Sequence, residues 1–150
     1  MAAPFTLTHA ADGAGRAVRS LLSRPVVRWL ALLGLCSAYL QGGLQKAFDW
    51  PGALAEMQHF GLEPASLFAA CTIALELVAS MMVLAGIFRW FGALALAAFT
   101  LAATLLANRF WEMASPERFA ATNAFFEHIG LIGALLLVAW FDLERPEAPR

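Results

Sequence analysis

Residues 90–108, WFGALALAAFTLAATLLAN, run for nineteen positions without one ionisable side chain. A helix of about 20 residues crosses the roughly 30 Å of hydrocarbon in a bilayer. A helix in water needs a polar stripe facing outward, and here only small hydroxyls interrupt the apolar surface. Three other stretches follow the same rule. Residues 26–47 are uncharged from Trp29 to Gln45, residues 65–88 are interrupted only by Glu76, and residues 120–141 carry only Glu127 and His128 as ionisable groups. The composition agrees, being 61% hydrophobic and 14% charged, against about 25% charged in an average soluble domain. Lipid cannot satisfy exposed backbone groups, and no alternating ten-residue strands mark a barrel. The expected fold is therefore all-α, an integral membrane four-helix bundle spanning residues 24–141.

The tryptophans support these limits. Trp29, Trp50, Trp90, Trp111 and Trp140 all fall at or just beyond segment ends, where an indole keeps its ring apolar and its N–H wet. Orientation follows from the short basic flanks. Arg16, Arg19, Arg24, Arg28, Arg89, Arg145 and Arg150 lie on one side, and Lys46, Arg109 and Arg118 on the other. Seven against three predicts both termini in the cytoplasm. The first segment is longer than a signal-peptide core and no small-x-small cleavage site follows it, so it is read as a retained helix. Residues 1–23 read as a loosely ordered cytoplasmic arm with an amphipathic turn near Val18, Leu21 and Leu22, and residues 142–150 as a cytoplasmic tail. Between the first two segments, Asp49, Pro51 and Gly61 carry the start and stop signals of a short helix. Its Trp50, Leu54, Met57 and Phe60 suit a helix lying on the outer membrane surface. Segments two and three are joined by almost nothing around Arg89, which predicts an antiparallel hairpin.

Ionisable groups at membrane depth are expensive, at roughly 2.5–3.5 kcal/mol each. Glu76, near the middle of the second segment, needs a cation or hydrogen-bond donors facing it; Lys46, His128 and Tyr39 are the candidates. The spacing predicts a polar pocket open to the outer side and walled by Tyr39, Gln45, Lys46, Glu76, Asn108, Glu127 and His128. Such a pocket suits a polar headgroup, a quinone ring or a proton in transit. The plainer alternative is interhelical hydrogen bonding that only fixes packing. Function is the preferred reading for Glu76, both stay open for Glu127 and His128, and Lys46 alone is better explained by snorkelling. Cys36 and Cys71 are expected as small buried hydrophobes. Three histidines at separate levels make no metal set, no phosphate-cradling loop or nucleophile elbow is present, and a net charge of −1 offers nothing to nucleic acid.

In order along the chain come Tyr39-Leu-Gln-Gly-Gly-Leu-Gln-Lys46, Phe60-Gly-Leu-Glu-Pro64, Glu76-Leu77 and Gly86-Ile-Phe-Arg89, then Asn108-Arg-Phe-Trp111 and Asn123-Ala-Phe-Phe-Glu-His-Ile-Gly130. This series, within about 28–141, resembles the DoxX family of small bacterial inner-membrane proteins. It departs from the family's frequent pattern at Glu127-His128, often a Lys-Asn pair, and at Asn108, often a histidine. The resemblance implies a multi-pass protein of the bacterial inner (cytoplasmic) membrane, loosely associated with respiratory or sulfur redox systems. Because no cofactor motif or cysteine pair supplies electron-transfer chemistry, the preferred reading is a non-catalytic subunit or accessory protein with a quinone- or lipid-like ligand, whose partners are the bilayer and a membrane redox protein or a second copy. A quinone-coupled oxidoreductase is the alternative, and a small proton-coupled transporter a weaker one, since four helices leave little room for alternating access. No cofactor is evident from a motif; quinone is the one the resemblance suggests.

Overall fold

A computed structural model describes residues 5–144. All regular structure among them is helical: α1 Phe5–Leu22, α2 Pro25–Phe48, α3 Trp50–His59, α4 Ala65–Ala85, α5 Arg89–Ala107 and α6 Glu117–Leu143, with one 3-10 turn at Phe110–Glu112. Residues 145–150, with the Arg145 and Arg150 of the charge count, lie outside the described residues. The chain divides into two compact units, Met1–Gly34 and Leu35–Arg150, and the division falls inside α2.

In the first unit, α1 is a continuous helix where the sequence suggested a loose arm. Val18, Leu21 and Leu22 sit at i, i+3 and i+4 and form an exposed apolar strip, with Arg16 and Arg19 on the other side of the helix. The Ser23 N–H bonds to the Arg19 carbonyl at 2.9 Å. Pro25 then opens α2, at a helix start where a missing N–H does no harm.

The second unit begins with the rest of α2. Asp49 caps α3 by accepting from the Gly52 N–H at 3.1 Å, Pro51 stands in its first turn, and Gly61 beyond its end has φ 69°. These are the signals read in the sequence. What the apolar face of α3 covers is a neighbouring helix. Ala53 and Met57 pack against Ala65 and Ala69 of α4, joined by Leu54 and Leu62. An amphipathic helix serves equally on a lipid surface or on a neighbouring helix, and here α4 offers alanines small enough to admit it. Trp50 stays exposed.

Helix α4 ends three residues before the expected limit, because Gly86 adopts the left-handed conformation at φ 77° and its N–H closes on the Met82 carbonyl at 3.0 Å. Phe88 follows with φ 47°, and α5 runs back along α4. The two backbones nearly touch: a Cβ on Gly92 would stand 2.7 Å from the Ala79 carbonyl oxygen. Phe88 gives α5 no side-chain cap, and α6 supplies one instead. Asp142 accepts from the Trp90 N–H at 3.2 Å and pairs with Arg89 at 3.5 Å, while Arg89 Nε also donates to the Val83 carbonyl at 2.8 Å. One carboxylate thereby ties the α4–α5 turn to the end of α6, and the charge used to read orientation is also structural. Helix α6 packs along α5, with Leu135 and Ala139 buried, and the 3-10 turn rests on it through Phe110 and Phe125, ring centres 5.4 Å apart.

Three spans are long and apolar enough to cross a membrane: Ala65–Ala85, Arg89–Glu112 and Glu117–Leu143. A fourth is reached only by counting Gly13–Leu22 and Pro25–Phe48, bent at the break between them, as one span. The expected four-helix count is thus met for three. Pro25–Phe48 has the length, at 24 residues, but Arg28, Gln41, Gln45 and Lys46 dilute its apolar character. The spans expose Leu67, Val78, Met81, Phe91, Leu101, Leu105, Leu136 and Leu137, an apolar surface far larger than a water-soluble monomer presents. Lipid is its natural solvent. Cys71 belongs to this exposed surface and Cys36 is buried, so only one of the two thiols is interior as expected.

Candidate functional site

The site is built where α2 meets α4. A Cβ on Gly43 would lie 2.9 Å from the Leu77 side chain and 3.2 Å from Glu76 Cβ, and one on Gly42 would lie 3.4 Å from Glu76 Oε1. The glycine pair is what admits α4 so closely. This approach buries Glu76, whose side chain is 7% exposed and whose Oε2 makes no hydrogen bond among the described residues. One turn along α2, Lys46 Nζ stands 3.7 Å from that oxygen and equally 3.7 Å from Glu56 Oε2 of α3, whose side chain is 43% exposed. Both distances are ion-pair contacts longer than a hydrogen bond. Lys46 therefore does more than snorkel: it bridges a buried acid and a surface acid.

Two other groups come from the sequence candidates. Tyr39, buried on α2, shares a 2.5 Å hydrogen bond with Thr100 of α5, and Thr100 also donates to the Leu96 carbonyl at 2.7 Å. Two turns further along α5, Asn108 Nδ2 donates to Thr104 Oγ1 at 3.2 Å and lies 3.2 Å from Nδ1 of His128 on α6. Thr100, Thr104 and Asn108 are spaced by four, so they form one polar edge on an otherwise apolar helix.

Gln45 and Glu127 are not part of these groups. Gln45 is exposed and accepts from Gln41 at 2.7 Å. Glu127 is exposed and makes no ion pair among the described residues. Successive helical residues point about 100° apart, so Lys46 and His128, by turning inward, direct Gln45 and Glu127 away. The seven candidates thus resolve into the Lys46–Glu76 pair, the Tyr39 contact and the Asn108–His128 contact, with two residues facing outward.

A cavity of about 300 Å³ opens beside Lys46. Its polar edge is Lys46, Glu56 and Thr72, and its walls are apolar: Met57, Phe60 and Leu62 from α3 and its turn, Phe68 from α4, and Phe99, Ala102, Ala103, Leu106 and Ala107 from α5. A mostly apolar cavity with a few convergent polar groups is the usual form of a small-molecule site. Of the seven candidates, Lys46 alone lines it. The sequence reading missed Glu56 and the aromatic walls. The hint was present in α3, where Glu56 sits beside the inward-facing Met57, but its meaning depends on which surface α3 covers. Among the described residues no group of three or more His, Cys, Asp or Glu is placed to hold a metal ion.

The model of the DoxX family matches residues 29–109, which contain α3, α4, α5, most of α2 and every wall of this cavity. Comparison with curated proteins and with solved structures gives no match.

Proposed function

Because the chain belongs to the DoxX family, we propose that it serves as a non-catalytic subunit or accessory protein of a redox-related membrane system, holding a quinone- or lipid-like ligand in the cavity beside Lys46. The observation that carries this reading is the placement of an amine and a carboxylate, Lys46 and Glu56, at the edge of an apolar cavity between helices, with the buried Glu76 carboxylate behind the amine. Such a site fixes a polar head while the walls take hydrocarbon. The oxidoreductase reading has one observation in its favour. Lys46 lines the cavity and faces Glu76 at 3.7 Å, an acid–base pair of the kind that proton delivery to a quinone requires.

The reading also makes α2 a fourth crossing, with both ends on the cytoplasmic side of a bacterial inner membrane. One observation supports the crossing: Tyr39 and Gly43 lie beside Thr100 and Leu77, well inside the spans of α5 and α4. Given four crossings, the seven-to-three distribution of basic residues sets the orientation.

The test is extraction of ligand from protein purified in native lipid discs. A quinone or lipid enriched over the surrounding bilayer, and depleted at least tenfold by Ala103→Trp, which fills the cavity, is the expected result. An extract matching bulk lipid in both proteins would overturn the pocket. Quinone reduction by the purified protein, abolished by Glu76→Gln, would select the oxidoreductase instead.

A further inference from the structure

The charges around the cavity say more about its occupant than its shape does. Lys46 is the cation at the cavity edge, and two carboxylates already face it at 3.7 Å each. With both acids ionised the cluster carries a net −1, and with Glu76 protonated it is neutral. In neither state is there positive charge left for an anionic ligand. The ammonium does retain hydrogen-bonding capacity, since both carboxylates lie beyond hydrogen-bond distance and its three N–H groups have room to turn toward the cavity. Next to it the walls are Met57, Phe60, Phe68, Phe99 and Leu106, with Thr72 the one uncharged polar side chain. At about 300 Å³ the cavity is at the low end of small-molecule sites, enough for a compact head and the start of one chain.

We propose that the cavity selects a neutral amphiphile whose head presents a carbonyl oxygen to Lys46, and excludes amphiphiles with an anionic head. The inference rests on the pocket reading above and specifies its ligand class. The carbonyl accepts from Lys46 Nζ without adding charge. A carboxylate or phosphate in the same place adds a like charge beside Glu56 and the buried Glu76; solvent screens Glu56 on its exposed side, but the apolar walls leave the repulsion across the cavity less screened. Glu56 is the discriminating residue, because it lines the cavity and Glu76 does not.

Methyl dodecanoate and dodecanoate at pH 9 share a chain and differ in head charge. Retention of each labelled compound by the protein in phosphatidylcholine nanodiscs, corrected against empty discs, gives the comparison. The ester is expected to bind at least tenfold more tightly than the acid. Glu56→Gln, a change at a half-exposed side chain that leaves the Lys46–Glu76 pair in place, should bring the two within about threefold, mainly by improving the acid. Equal or tighter binding of dodecanoate to the natural protein would overturn the selectivity while leaving the pocket standing, as would a ratio unmoved by Glu56→Gln. If neither compound is retained above empty discs and Ala103→Trp changes nothing, the pocket and the inference fail together.

Discussion

At the scale of single residues, the Lys46–Glu76 pair is the feature whose removal has the most predictable effect. Glu76 is buried and faces Lys46 at 3.7 Å. Removing one member of a buried pair strands the other, at a penalty of about 3–5 kcal/mol, whereas replacing both with apolar residues is often close to neutral. Lys46→Met should therefore destabilise the protein by that order, and the double variant Lys46→Met/Glu76→Leu should recover most of the loss. Reversible unfolding in detergent measures both. A double variant as unstable as the single would mean that Glu76 is held by something other than its charge partner. Glu56 behaves differently, since an exposed ion pair is worth about 0–1 kcal/mol, and its value lies in what the cavity accepts.

At the scale of elements, glycines set how closely the helices approach. Gly92 lies against the Ala79 carbonyl at 2.7 Å from a built Cβ, while Gly130 on α6 has nothing within 4 Å. Gly92→Ala should force α4 and α5 apart and lower stability by about 1–3 kcal/mol. Gly130→Ala, at an open helical position, should be neutral or raise stability by up to about 1 kcal/mol. Denaturant titration in detergent compares the two, and a larger loss at Gly130 would contradict the packing described. Such contacts mark the limit of what the sequence revealed. Helices α4, α5 and α6 were legible because long apolar runs with at most two ionisable groups leave no other solvent, and α3 because Asp49, Pro51 and Gly61 are local signals. The α5–Asp142 cap was not legible, since Trp90 and Asp142 are 52 residues apart. Nor was the inward face of α3, because its apolar residues fit α4 or lipid equally well. The polar edge of α5 was partly legible: Thr100, Thr104 and Asn108 repeat every four residues, but hydroxyls of that size pass for ordinary apolar-helix composition.

At the scale of the whole molecule, the number of crossings decides where the ends lie. With α2 as a fourth crossing both termini share one side, and with three they are on opposite sides. In a chain cleared of Cys36 and Cys71, Ser20→Cys and Glu144→Cys should resist a membrane-impermeant maleimide in intact cells, while Ser115→Cys should react. Labelling of Ser20→Cys as fast as Ser115→Cys would reduce the count to three. The spans also differ in how much protein covers them. Only 11% of the α6 span is buried, against 28% and 33% for the spans of α4 and α5, so most of the circumference of α6 is left uncovered by the rest of the chain. Glu127 stands on that bare surface, ten residues, or about 15 Å of helix rise, from the start at Glu117. Hydrocarbon does not tolerate a naked acid, and a fluid leaflet is softer than a packed helix. In a bilayer that covers this face of α6, headgroups and water drawn inward beside an ionised Glu127 would offset its cost and thin the annulus at that flank.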